Sequence, residues 1–158
     1  MTKVPNNFLD KKVCIIGLGY VGLTLAAVMA EVGFEVYGIE KDIEKLSMIN
    51  NGLAHFFEPR LNQILKKQIN NKNFITSQHI PKNNDFSVFI LTVGTPLDEF
   101  GKVRLDMVDE AVDQISQTNY NNKLIIMRST LKLGTTRKIA EKLNSNKDKK
   151  CDLAFCPE

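Results

Sequence analysis

The stretch Val13-Cys14-Ile15-Ile16-Gly17-Leu18-Gly19-Tyr20-Val21-Gly22 constrains this chain more than any other. Residues 13–16 form a short apolar run that reads as a strand buried on both faces. Glycines follow in the pattern Gly17-x-Gly19-x-x-Gly22, and residues 23–29 continue as an apolar, alanine-rich helix. Gly17 permits the tight turn out of the strand. Gly19 leaves the backbone open to a pyrophosphate, and Gly22 lets the helix pack closely on the sheet. N–H groups and the dipole at that helix N-terminus would hold phosphate charge. Such a turn can also serve packing alone. Here, however, a second strand over residues 35–39 ends at Glu40, close to where the fingerprint expects an acid for the ribose hydroxyls, roughly 20 residues beyond the turn. The pattern predicts a dinucleotide site built on Gly17, Gly19, Gly22 and Glu40.

The rest of the chain alternates strand and helix signals. Ile43, Leu46 and Ile49 recur at helical spacing and stop at Asn50-Asn51-Gly52; Leu61, Ile64, Leu65 and Ile69 mark the apolar face of another helix. Residues 74–76 read as a short strand and residues 85–93 as a central one, rich in β-formers. Val108, Ala111, Val112 and Ile115 mark a helix opening near Leu105, and residues 123–128 a further strand. Gly134-Thr135-Thr136 starts a helix carrying Ile139, Ala140 and Leu143, and residues 152–155 form a last strand. Alternation of this kind predicts an α/β fold with a doubly wound parallel sheet, Rossmann-like, of about six strands in the order 3-2-1-4-5-6. Residues 1–11 form a polar lead-in to a single domain over residues 12–158.

Strand ends on one rim of such a sheet hold its ligands. Thr95, in the turn Gly94-Thr95-Pro96, is placed to donate its hydroxyl to the cofactor or to make a local turn hydrogen bond. Lys45 lies one turn into the helix after Glu40, either facing the adenosine side or as an exposed helix lysine. Lys41, beside Glu40, would tolerate a 2′-phosphate, but the Glu40 carboxylate would repel one. The expectation is therefore NAD rather than NADP.

Composition excludes several classes. A net charge of +3 with scattered Lys and Arg does not point to nucleic acid, and no apolar run has the length of a membrane span. The N-terminus lacks a signal-peptide core, so the expected location is cytoplasmic. Cys14, Cys151 and Cys156 contain no CxxC pair, and His55 and His79 are far apart, so no metal site is expected. Cys14 falls in the first strand and reads as core.

Taken together, IIGLGYVGL, the acid after the second strand, FEPRL, TVGTP, RSTLKLGTT and FCPE resemble the N-terminal domain of the UDP-glucose/GDP-mannose dehydrogenase family. The resemblance covers nearly the whole chain, and its ending looks most like the UDP-N-acetylmannosamine dehydrogenase branch. It implies oxidation of the C6 alcohol of a nucleotide sugar to a carboxylate with NAD, in polysaccharide biosynthesis. It further implies that Tyr20 and Val21 line the pyrophosphate turn and that Glu40 holds the adenosine ribose. Lys45 supplies a basic group, and Thr95 and Thr130 meet the dinucleotide nearer the nicotinamide. Glu158 matches an acid that assists proton transfer around the substrate, a role that suits alcohol oxidation; judged on this chain alone it also reads as a solvated carboxylate.

Two local departures stand out. Arg60 occupies a position where the family more often has a small residue, and Leu131-Lys132-Leu133 replaces a proline-containing turn. The family's nucleophilic cysteine and lysine belong to a second half, and Cys156 is not that cysteine, with no histidine nearby to activate it. The expectation is a cofactor domain without its substrate domain, inactive alone, whose full-length form takes a UDP-sugar as a homodimer. The competing readings are a free-standing NAD-binding module and another two-domain Rossmann oxidoreductase, such as a 6-phosphogluconate or 3-hydroxyacid dehydrogenase.

Overall fold

A computed structural model describes residues 3–5, 7–145 and 149–157. The elements run β1 (Lys12–Ile16), α1 (Tyr20–Val32), β2 (Glu35–Ile39), α2 (Ile43–Asn50), α3 (Leu61–Asn70), β3 (Phe74–Ser77), β4 (Val88–Leu91), α4 (Asp106–Ser116), β5 (Lys123–Met127), α5 (Thr135–Leu143) and β6 (Cys151–Phe155). All six strands are parallel, in the order β3-β2-β1-β4-β5-β6. This is the expected doubly wound sheet.

Period-two alternation in β1 divides the interior. Val13 and Ile15 pack with Leu23, Ala26, Ala27 and Ala30 of α1, Ile49 of α2 and Leu61 and Leu65 of α3. Cys14 and Ile16 face the other side, with Phe89 and Leu91 of β4, Val108, Ala111, Val112 and Ile115 of α4, and Ile139 and Leu143 of α5. Cys14 is fully buried, and desolvation pushes its thiol far above the ordinary range. Alanines on α1 let that helix lie close against the β1–β2 ladder.

Two elements differ from the sequence pattern. The strand expected over residues 85–93 is cut to Val88–Leu91. At its start Asp85 pairs with Lys12, and at its end the Thr92 hydroxyl turns to the Gly17 carbonyl, at 2.7 Å. Ile43, expected on the inner face of α2, is 67% exposed. That helix is anchored instead at its far end, where Ile49 is buried and the Thr76 hydroxyl donates to Asn50 Oδ1. The N-terminal segment lies against the end of α1, with the Val4 N–H donating to the Val32 carbonyl at 2.8 Å. No helix among the described residues is long and apolar enough to cross a membrane.

Candidate functional site

The turn between β1 and α1 is forced by the sequence and locked by its neighbours. Gly17 has φ of +93°, a left-handed conformation that side chains resist, and its N–H donates to the Ile39 carbonyl at 2.8 Å. A Cβ on Gly22 would fall 1.9 Å from the Gly17 carbonyl oxygen and 2.5 Å from Thr92 Oγ1. Only glycine fits there. A Cβ on Gly19, by contrast, meets nothing within 4 Å: the space above the turn is open. α1 begins at Tyr20 with no side chain capping it and no acid in its first turn, so its leading N–H groups face that space.

Beside the turn lies a cleft of about 430 Å³. Gly17 and Gly19 form its base, Glu40, Lys41, Asp42 and Lys45 one wall, and Met107, Glu110 and Gln114 of α4 the other. Glu40 is fixed by two backbone donors. Its Oε2 accepts from the Leu18 N–H at 3.1 Å and its Oε1 from the Asp42 N–H at 3.1 Å. Each carboxylate oxygen keeps further acceptor capacity for a ligand hydroxyl. Asp42 caps α2, accepting from the N–H groups of Glu44 and Lys45, and its Oδ2 lies 3.5 Å from Lys45 Nζ. The Lys45 N–H, foremost, holds the Asp42 carboxyl below its ordinary range.

Around the rim, the Tyr20 hydroxyl donates to Glu58 Oε2 at 2.8 Å, and its ring packs on Phe56 with centroids 4.8 Å apart. The Phe-Glu-Pro loop thus braces the start of α1. Arg60, which closes that loop, has φ of +67°, a left-handed conformation. A small residue suits that geometry better, and nothing in the structure explains the Arg at this position. Burial, then the Lys45 ammonium, pushes the His55 imidazole below its ordinary value.

The structure brings Gly17, Gly19, Glu40 and Lys45 together at the cleft, with Gly22 beneath the turn and Val21 half-buried in the first turn of α1. Tyr20 stands at the rim, 59% exposed. Thr95 and Thr130 are not among the cleft's lining residues; Thr95 is half-buried beyond Gly94 and Thr130 is exposed. Glu158 lies outside the described residues. Sequence reading passed over Thr92, Asp42, Gln78, Met107, Glu110 and Gln114, which line the cleft or hold its turn. Asp42 had a signal, an Asp directly before a helical run. The others had none, because they meet the site only through the fold.

A profile described as the UDP-glucose/GDP-mannose dehydrogenase family, NAD binding domain, matches residues 11–158. The chain belongs to this family. Within the UDP-glucose/GDP-mannose dehydrogenase family, NAD is the cofactor that this domain binds. A UDP-N-acetyl-D-mannosamine dehydrogenase of Methanocaldococcus jannaschii is 38% identical, the match covering 100% of this chain and 36% of that protein. The chain thus spans little more than a third of the length of that curated relative. Among solved structures, the UDP-D-ManNAc dehydrogenase of Pyrococcus horikoshii superposes with a TM-score of 0.86 at 28% identity, over 93% of this chain and 36% of the other. The UDP-N-acetyl-mannosamine dehydrogenase of Staphylococcus aureus gives 0.83 at 25% identity, over 93% and 36%.

The cleft fits a dinucleotide on its own geometry. It offers an open turn free of Cβ atoms, uncapped helix N–H groups for a diphosphate, and a fixed carboxylate for a ribose.

Proposed function

We propose that this chain is the NAD-binding part of a nucleotide-sugar 6-dehydrogenase, one that oxidises the C6 alcohol of a UDP-sugar of the N-acetylmannosamine or glucose type. The observation that carries the reading is Glu40, held by the Leu18 N–H at 3.1 Å beside the open surface of Gly19. In this arrangement Glu40 would accept from the adenosine ribose, and Gly17, Gly19 and the first-turn N–H groups of Tyr20 and Val21 would hold the diphosphate, with Gly22 keeping α1 close beneath. Lys45 flanks the adenosine, while Thr95 and Thr130 meet the dinucleotide towards the nicotinamide. NAD, when bound, takes up the electron pair leaving the alcohol carbon. Residues 12–158 form the cofactor domain, and Glu158 is the acid that assists proton transfer.

None of the three cysteines is suited to covalent catalysis. Cys14 is fully buried, and burial also raises the half-buried Cys151 thiol. The exposed Cys156 accepts from Arg128 Nη1 at 3.6 Å, and among the described residues no histidine or carboxylate hydrogen-bonds to it. The full-length enzyme supplies the nucleophile from elsewhere and works as a cytoplasmic homodimer.

Calorimetry on this chain tests the reading. NAD should bind, NADP should bind more weakly, and incubation with NAD and UDP-sugars should give no NADH absorbance. Absence of NAD binding, or turnover by this chain alone, would refute it.

A further inference from the structure

Two cations that line the cleft with Glu40 are each held by a carboxylate. Lys45 Nζ is 3.5 Å from Asp42 Oδ2 on its own helix. Lys41 Nζ reaches across the cleft to Glu110 Oε2 on α4, at 2.8 Å. Both Lys41 and Glu110 line the cleft, one on each wall, so the pair bridges the side where an adenosine would enter.

We infer that Glu110 is a specificity-determining residue: by engaging Lys41 it withholds the cation that a 2′-phosphate would need beside Glu40. This rests on the dinucleotide reading of the cleft and extends it to a residue on the facing helix. The chemistry follows from charge. A ribose with a free 2′-hydroxyl needs only an acceptor, which Glu40 provides. A 2′-phosphate brings close to two negative charges, and beside Glu40 it is tolerated only if a cation turns towards it. Lys41, next to Glu40 in the chain, is in place to do so, and Asp106 and Glu40 add to the negative field around its ammonium. With Glu110 present, a phosphate must compete with a formed ion pair. Without it, Lys41 is released to face the ligand.

Lys41 and Glu110 side chains are 60% and 51% exposed, so changing either leaves the core intact. The test is calorimetric titration of the wild type, Glu110→Gln and Lys41→Met/Glu110→Gln with NADH and NADPH at low and high salt. The wild type should favour NADH. Glu110→Gln should shift the affinity ratio towards NADPH by about three- to tenfold at low salt, and less at high salt, where charges are screened. The double variant should lose that gain, since the effect passes through Lys41. A wild type that binds NADH alongside a Glu110→Gln ratio that does not move, or a shift that survives in the double variant, would overturn this inference and leave the cofactor reading standing. A wild type that binds neither nucleotide would overturn both.

Discussion

Between β2 and β4 the rim of the sheet ties turn, acid and strand together around the open cleft, and between β4 and β6 it ties strand to strand beside exposed loops. On the first side Gly17 donates to Ile39, Leu18 donates to Glu40, and Thr92 donates to Gly17, so the turn, the acid and the next strand are tied into one unit. On the second side the Ser129 hydroxyl donates to the Val93 carbonyl at 2.7 Å, joining β4 to β5, while Thr130 beside it is exposed. Leu97, Phe100 and Leu133 also stand largely exposed on the loops there. The difference teaches that the open turn is positioned by backbone and side chain together, through the Gly17 N–H, the Glu40 carboxylate and the Thr92 hydroxyl.

The sharpest way to break this contrast is Gly22→Ala. The new methyl would strike the Gly17 carbonyl oxygen, which cannot move without undoing the turn. Stability should fall by about 3 kcal/mol in denaturant titration, with NAD binding lost in parallel. A variant that kept both would show the turn to be looser than drawn. Next comes Glu40→Ala, which removes a charged acceptor from two N–H groups and from the ribose. NAD affinity should drop by about 1–2 kcal/mol, close to tenfold, read by calorimetry. Equal affinity for NAD and NADP in the wild type would contradict the role given to Glu40.

Thr92→Val keeps the shape and deletes the hydroxyl that holds Gly17, so about 1 kcal/mol of stability should go, with a smaller loss in NAD affinity. On the other half, Thr95→Val and Thr130→Val should leave the unfolding midpoint alone and weaken NAD by at most about 1 kcal/mol each. If either variant unfolds the chain as readily as Thr92→Val, the two halves are built alike after all. The smallest expected effect concerns Asp42. Its folded carboxyl sits below the model-compound value of 3.8, so its cap supports α2 fully above that pH and is lost as pH falls through the lower folded value. Asp42→Asn should therefore flatten the acid limb of the helix signal in circular dichroism, and an unchanged limb would remove the charge from the account.

Legibility followed the same division. Strand order, the inner residues of α4 and the glycine turn were all readable, because period and glycine spacing are local signals. Ile43 misled, since its spacing fitted an inner face that α2 does not present at that end. The length of β4 misled too: nothing in residues 85–93 tells that Thr92 leaves the ladder for Gly17.

What the sequence determined by itself was the alternation of strands and helices, the turn that only glycine permits, and an acid at the end of β2. Each depends on forces acting within a few residues: steric limits on φ and ψ, and the burial of apolar periods. What only the tertiary structure decided was who faces whom across the cleft. Glu110 meets Lys41, Tyr20 meets Glu58, and Thr92 meets Gly17. These partners are far apart along the chain, and no hydrophobic period marks them. Their positions are set by how α1, α4 and β4 pack into one fold.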